Sequence, residues 1–377
     1  MTVTLIGLGV VGSHAVGLLI RMGLIDRLIL VDPDVYDESN LTSQCIEPRD
    51  VGRPKVLAQK RRVRAIAPGI DVTAIQSRLE DLPPGRLRAD VIVTCLDSAA
   101  ARIDANEIAG MLGVPLIDTG VRGADLLGRV DVYLPSPRCA CFECLLAAHD
   151  YQQAEVVHSC EEGRDPRRAR PTPAPSATSA ALGSLVASAT VVVLEELLRS
   201  RDPGALAGRR ILFELRNHRH AVSRLPFNPA CRRSPHEPWA IRSFGEHASR
   251  LTFTELHAQV GAATSDAAIR IFGTRFVTEV VCVRCGRKRR VVRVERGLGG
   301  ARGWCGACHR PMEVTSLGLV EWLPLAALTS RELDRALESF GLARGDVVTI
   351  RSRGTERHVE LKLPRGAGGA AQAREES

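Results

Sequence analysis

Lysine is almost missing from this sequence: four stand among 51 basic residues. Arginine therefore supplies nearly all of the net charge of +8. That balance suits an acidic partner or nucleic acid, and it suits equally a genome that favours arginine codons. Nucleic acid is accordingly an open partner class but not the favoured one. Long apolar runs are missing too: no stretch reaches the roughly eighteen residues of a membrane span. The nearest, 185–198, carries Glu195 and Glu196 and reads as a buried helix, so no membrane partner is expected. The first residues already read as a strand, with no room for a leader, and a cytoplasmic location is the expectation.

What is present allows two or three domains. The chain has 377 residues, 45% apolar and 25% charged, enough for sizeable cores. Its eleven cysteines fall mostly in CxxC pairs, and without a leader that pattern favours metal over disulfides. From 1 to about 135, strand-like runs (3–6, 28–31, 71–75, 91–95, 114–117, 130–133) alternate with helical patterns at 12–22 and 55–67. The alternation predicts an α/β fold, a Rossmann-like doubly wound, mostly parallel sheet. Pro, Arg, Ser and Ala dominate 163–179, which reads as a mobile loop spanning about 160–179. A strongly apolar helix follows at 180–199, then a closing pair of strands at 210–215 and 221–225.

The expected domains are 1–238, a metal-bound β region at 239–320, a helix-plus-hairpin module at 321–365 and a disordered tail at 366–377. In the third, Thr329-Ser330-Arg331-Glu332 is a capping box for a helix to about 340. Strands at 347–352 and 358–363 turn through Gly354. The C-terminal region is thus α+β, containing a zinc ribbon.

That ribbon rests on Cys282-x-x-Cys285 and Cys305-x-x-Cys308, nineteen residues apart. Four thiolates leave zinc no open position, so the role is structural. The arginines around it (Arg284, Arg287, Arg289, Arg290, Arg293) form a basic face.

At the other end, Gly7-Leu8-Gly9-Val10-Val11-Gly12 follows the first strand and opens a helix, the pattern that lets backbone N–H groups meet phosphate. Asp32 ends the second strand about twenty residues later, where a ribose-binding carboxylate belongs. NAD, FAD and ATP all suit these features. The stretch Ser39-Asn40-Leu41-Thr42-Ser43-Gln44, followed by Gly52-Arg53-Pro54-Lys55, resembles the ThiF/MoeB family of ubiquitin-activating-like enzymes, whose pattern is an Asp, then SNLxRQ, then VGxxK. The resemblance covers residues 1 to about 236 and implies an ATP site. It implies Gly7, Gly9 and Gly12 as phosphate cradle, Asp32 on ribose, Asn40 on ribose or phosphate, and Lys55 on phosphate. Asp97 would hold Mg²⁺ against the triphosphate, with Arg102 at the family's trailing arginine. It implies adenylation of the C-terminal carboxylate of a ubiquitin-like or sulfur-carrier protein, and a homodimer.

Two departures stand out. The SNLxRQ arginine is Ser43 here, and the helix the family places before the first strand, with its own arginine, has no counterpart. Arg21, Arg49 and Arg53 are candidate substitutes. A family member adenylating a tRNA base or small peptide, and a catalytically degenerate partner subunit, stay open as alternatives. Cys141-x-x-Cys144 resembles the family's first zinc knuckle. Cys231, in Asn228-Pro229-Ala230-Cys231, resembles the start of the second, with Ser234 where the last cysteine would be. His236 and Cys139 are both candidates for the fourth ligand. Ser159-Cys160-Glu161-Glu162-Gly163 resembles the segment whose cysteine takes up the activated carrier in several members.

Overall fold

The computed structural model describes residues 1–152, 179–244, 251–260, 266–298 and 303–361. Cys160, nearly all of the 160–179 loop and the 366–377 tail lie outside them. The chain divides into two compact units, Met1–Leu79 with Leu87–Trp239, and Glu80–Arg86 with Ala240–Ser377.

The first unit runs β1 (Thr2–Ile6), α1 (Val10–Leu19), β2 (Arg27–Val31), α2 (Lys55–Ile66), β3 (Asp71–Ile75), β4 (Val91–Thr94), α3 (Ala99–Leu112), β5 (Leu116–Arg122), β6 (Leu127–Tyr133), α4 (Ala180–Arg199), β7 (Arg209–Glu214) and β8 (Arg219–Arg224). Its eight strands lie in the order β3-β2-β1-β4-β5-β6-β7-β8. The first five are parallel; β6, β7 and β8 add on antiparallel. The Rossmann-like doubly wound sheet expected from the sequence is present. Central strands are covered on both faces and so read as continuous apolar runs rather than alternating ones. Val3, Leu5, Leu28, Leu30, Val91 and Val93 pack with Val11, Ala15 and Leu19 of α1 in one core.

One helix was not expected, and the apolar helix expected at 180–199 is present. α3 occupies 99–112, where no helix was assigned: Ser98 caps it, its hydroxyl accepting from Ala101 N at 3.2 Å. α4 is one unbroken helix of 20 residues, long and apolar enough to cross a membrane. Its Leu182, Val186, Leu194 and Leu197 are nonetheless buried in the core just described. Gly183 permits its approach to α1, since a Cβ there would lie 2.4 Å from Val10 Cγ1 and 2.8 Å from Val10 O.

Among the described residues the second unit holds two sheets. One orders β15 (Leu323–Pro324), β10 (Ala268–Ile271), β16 (Val347–Ser352), β17 (Thr355–Leu361) and β9 (Ile241–Phe244). The other orders β12 (Lys288–Val294), β11 (Phe276–Cys282) and β13 (Met312–Val314), with β14 (Leu319–Val320) also on β11. The expected boundary at 320 is therefore corrected. Ile269 pairs with Ile350, and Phe253, Ile269, Phe340, Val348 and Val359 share one core, so the hairpin belongs with residues from 241 onward.

The helix expected to reach 340 is also corrected, because it stops at Leu333. The Thr329–Glu332 capping box forms, but the 251–254 segment takes the next backbone groups. Thr252 bridges Ala336, and Leu337 N donates to Leu251 O at 2.8 Å. Tertiary pairing overrides the helix signal.

Candidate nucleotide and metal sites

The chain leaves β1 outward to β3 and then crosses back to β4, so strand order reverses between β1 and β4. Ligands of open α/β sheets bind at that switch, outside the carboxyl ends of the strands. Register does the rest. Ile6 lies beside both Val31 and Thr94, which brings Gly7, Asp32 and Cys95 together just past the sheet edge.

Each glycine of the turn has its own reason. Gly7 has φ +89°, and a Cβ there would meet Cys95 O at 2.5 Å. A Cβ on Gly12 would sit 1.9 Å from Gly7 O. Gly9 faces open space, with nothing within 4 Å of its Cβ position, and no side chain caps α1 there. An uncapped helix start over open space is what a phosphate needs. Gly12→Ala is therefore expected to cost more than about 3 kcal/mol of stability, since two backbones collide. Gly9→Ala is expected to melt like wild type and to lose nucleotide affinity. Thermal melts beside ATP titrations check both.

Asp32 is buried, and both its oxygens are engaged by backbone: Leu8 N donates to Oδ2 at 2.6 Å and Asp34 N to Oδ1 at 2.8 Å. It thus shapes the glycine turn as well as facing its mouth. Burial pushes its carboxyl above the usual value, against the opposing pull of Lys55 and those two N–H groups. Lys55 opens α2 largely buried, with Nζ 3.0 Å from Asp34 Oδ2. Tyr36 braces the turn from below, donating its hydroxyl to Leu8 O at 3.0 Å and accepting from Gln59 Nε2 at 2.9 Å. Sequence reasoning passed over Tyr36 and Gln59, which carry no motif.

Asn40 sits in a 3₁₀ turn, Glu38–Thr42, locked in a capping box with Asp37. Asp97 is exposed just past the end of β4, immediately before α3. Arg102 turns inward: its Nη1 meets Asp118 Oδ2 at 2.7 Å and its Nη2 donates to Leu96 O. Asp118 also takes Arg129 at 2.6 Å and the Thr94 hydroxyl at 2.7 Å. Asp131, its cross-strand neighbour, takes Arg210 through two bonds of 2.7 Å. Arg102 thereby anchors the Leu96–Asp97 loop to the sheet. Of the substitutes for the arginine at 43, Arg49 pairs with Glu47 at 2.6 Å and Arg21 folds back on Gly17 O.

Two further clusters are built for metal. Cys141, Cys144, Cys231 and His236 are all buried, with their ligand atoms within 4.8 Å of one another. Cys141 Sγ lies 4.0 Å from Cys144 Sγ, 3.7 Å from Cys231 Sγ and 3.6 Å from His236 Nε2. Tetrahedral Zn–S bonds of about 2.3 Å place ligand atoms roughly 3.7 Å apart, so the donors match zinc. Between the two candidates for fourth ligand, the geometry selects His236. Cys139 contributes its carbonyl instead, 2.7 Å from His236 Nδ1, which leaves Nε2 for the ion. Asn106 stiffens the knuckle, accepting from Phe142 N at 3.1 Å and donating to Glu143 Oε1 at 2.9 Å. The ribbon donors converge likewise: Cys282–Cys308 Sγ atoms are 3.4 Å apart, Cys285–Cys305 3.5 Å and Cys285–Cys308 3.8 Å.

A switch-point glycine turn, an acid closing the second strand and a lysine opening the next helix stand together in the first unit, as in nucleotide-binding α/β domains. The ThiF family model matches residues 1–233, and the chain belongs to the ThiF family. Over 146 residues it is 35% identical to the sulfur carrier protein ThiS adenylyltransferase of Escherichia coli K12, 38% of this chain and 57% of that protein. It is 29% identical over 157 residues to ubiquitin-like modifier-activating enzyme 5 of Branchiostoma floridae, 38% of each chain. To the SAMP-activating enzyme E1 of Haloferax volcanii it is 28% identical over 146 residues, 38% of this chain and 52% of that one. Each match falls well short of the relative's full length. Among solved structures it is similar to E. coli MccB with ATP, at TM-score 0.48 and 21% identity over 61% of this chain and 65% of that one.

Proposed function

We propose that the chain is an ATP-dependent activating enzyme that adenylates the C-terminal carboxylate of a ubiquitin-like or sulfur-carrier protein. The observation that carries this reading is the uncapped glycine turn at the β1/β4 switch, flanked by Asp32 and Lys55, in a chain of this family. The named relatives that activate such carriers support the substrate class.

In the proposed reaction the α1 N-terminus and Lys55 hold the triphosphate and offset its charge, while Asp32 and Asn40 face the ribose side. Magnesium, held by Asp97, would offset charge on the phosphates. A carrier carboxylate oxygen attacks the α-phosphorus, the bond to pyrophosphate breaks, and acyl-AMP remains. Transfer of the acyl group to Cys160 then displaces AMP and leaves a thioester. Arg102 keeps the Asp97 loop in place from below. Zinc in both thiol clusters holds loops and takes no part in the chemistry, having no open position. The homodimer belongs to this proposal too. So does a cytoplasmic location, in keeping with thiol clusters that a reducing compartment preserves.

A second reading, a nucleotide-binding partner subunit without catalysis, draws on Ser43 and on the inward commitment of Arg102. ATP–pyrophosphate exchange with a panel of carrier proteins separates the two. Exchange that appears only with a carrier ending in a free carboxylate supports activation. Absence of exchange with every carrier, in protein that binds ATP, leaves the partner-subunit reading.

A further inference from the structure

Cys45 belongs to neither metal cluster, and it is surrounded as a reactive thiol is. Its Sγ lies 2.9 Å from Arg62 Nη1 of α2, which also donates to Cys45 O at 2.8 Å. His14 of α1 stands beside this turn, with Nε2 3.3 Å from Ser43 O. The backbone is held too: Cys45 N donates to the Ser13 hydroxyl at 2.9 Å, and Ser13 directly follows Gly12 of the nucleotide turn. The residue is half-buried, within reach of a small solute.

We propose that Cys45 is a peroxide-reactive thiolate, a modification site assembled by His14 and Arg62 at the back of the nucleotide turn. The electrostatics agree with the geometry. The His14 hydrogen bond, and after it Arg62, bring the Cys45 thiol down to about 7 against the effect of burial. The reciprocal bond raises His14 above its ordinary value. Cys95, in the same unit, is pushed up to about 12 by burial, which outweighs Thr119 and Arg102. An adjacent cation and imidazolium are the standard means of stabilising a thiolate.

With hydrogen peroxide as oxidant, the Cys45 thiolate attacks one peroxide oxygen. An S–O bond forms as the O–O bond breaks, and the departing hydroxide takes a proton from solvent to give water. Sulfur is oxidised by two electrons to a sulfenic acid, and the peroxide is reduced. The oxygen added to Sγ is expected to weaken the 2.9 Å contact with Arg62.

The test uses full-length, zinc-loaded protein, iodoacetamide and peptide mapping. Cys45 is expected to alkylate roughly tenfold faster at pH 6.5 than in Arg62→Ala, because its larger thiolate fraction outweighs its lower intrinsic nucleophilicity. Its pH–rate profile should have a midpoint of about 7. Should Arg62→Ala not fold, His14→Gln and the wild-type profile alone decide. Stoichiometric hydrogen peroxide should give a dimedone-trapped sulfenic acid at Cys45 and a lower melting temperature, with Cys45→Ser spared the shift. A midpoint near the usual thiol value of about 8.5, or absence of trapped sulfenic acid at Cys45, would overturn the assignment. None of these readouts uses ATP, so failure of the proposed function and failure of this assignment are distinguishable.

Discussion

Lys55→Ala is expected to weaken ATP binding by about 10- to 100-fold while the protein stays folded. Nζ lies at the mouth of the glycine turn, 3.0 Å from Asp34 and among the charges that act on Asp32. A charge-assisted hydrogen bond to phosphate contributes about 1.5–3 kcal/mol, which sets the size of the loss. Asp34 loses little when its partner goes, being largely exposed. Asp32 is affected more. Burial already raises its carboxyl, and Lys55 is the charge that opposes the rise, so the variant raises it further. A carboxyl raised on folding contributes stability below its unfolded value of 3.8, and that contribution is lost as pH rises through the folded value. The stability gap between Lys55→Ala and wild type should accordingly widen from acid toward neutral pH. Urea melts across that range measure it; a constant gap would mean Lys55 is not coupled to Asp32.

Removing zinc is expected to have the largest effect on stability. The ribbon sheet has a small core, in which Val277, Val280, Leu298 and Met312 are buried beside Cys282 and Cys305. Phe276, Val292 and Val294 tie the other end of the sheet into the larger core, so it is the cysteine end that depends on the metal; a structural zinc site supplies about 10–16 kcal/mol in zinc-finger peptides. Metal analysis should find two zinc ions per chain, falling to one in Cys282→Ser and to one in Cys141→Ser. Chelation should loosen the cysteine end of the ribbon, seen as loss of exchange protection over 280–290 and 312–314. The two variants should also differ. Cys141→Ser loosens the link between the Cys141 knuckle and Cys231 in the first unit, while Cys282→Ser leaves that unit intact. Metal-free protein with unchanged melting would contradict both sites.

These expectations draw on features of unequal legibility in the sequence. The glycine turn, Asp32, Lys55 and the CxxC pairs were readable because each answers a local demand: a φ of +89° at Gly7, a phosphate at a helix start, paired thiols on one ion. The choice between His236 and Cys139 was not readable. It depends on a ring nitrogen finding the Cys139 carbonyl across 97 residues. The Asp118–Arg102–Arg129 and Asp131–Arg210 network was equally hidden, because it arises from strand register. Asp118 faces Asp131, and Asp131 faces Arg210, only once β5, β6 and β7 are aligned antiparallel. Asp118 and Asp131 amid the apolar residues of β5 and β6 were the available signal. The helix signal at 329 was real but outcompeted: Thr252 and Leu251 claim the backbone that would have carried it past Leu333. His14, Cys45 and Arg62 are 31 and 17 residues apart in sequence, and nothing in their spacing announces that they meet.

The central claim is that the switch-point turn is an ATP site. Calorimetric titration of folded, zinc-loaded protein with ATP and Mg²⁺, run beside NAD and beside Lys55→Ala, tests it most directly. Micromolar ATP binding that falls sharply in the variant, with NAD silent, is the expected result. Tight NAD binding, or ATP binding that Lys55→Ala leaves untouched, would contradict it.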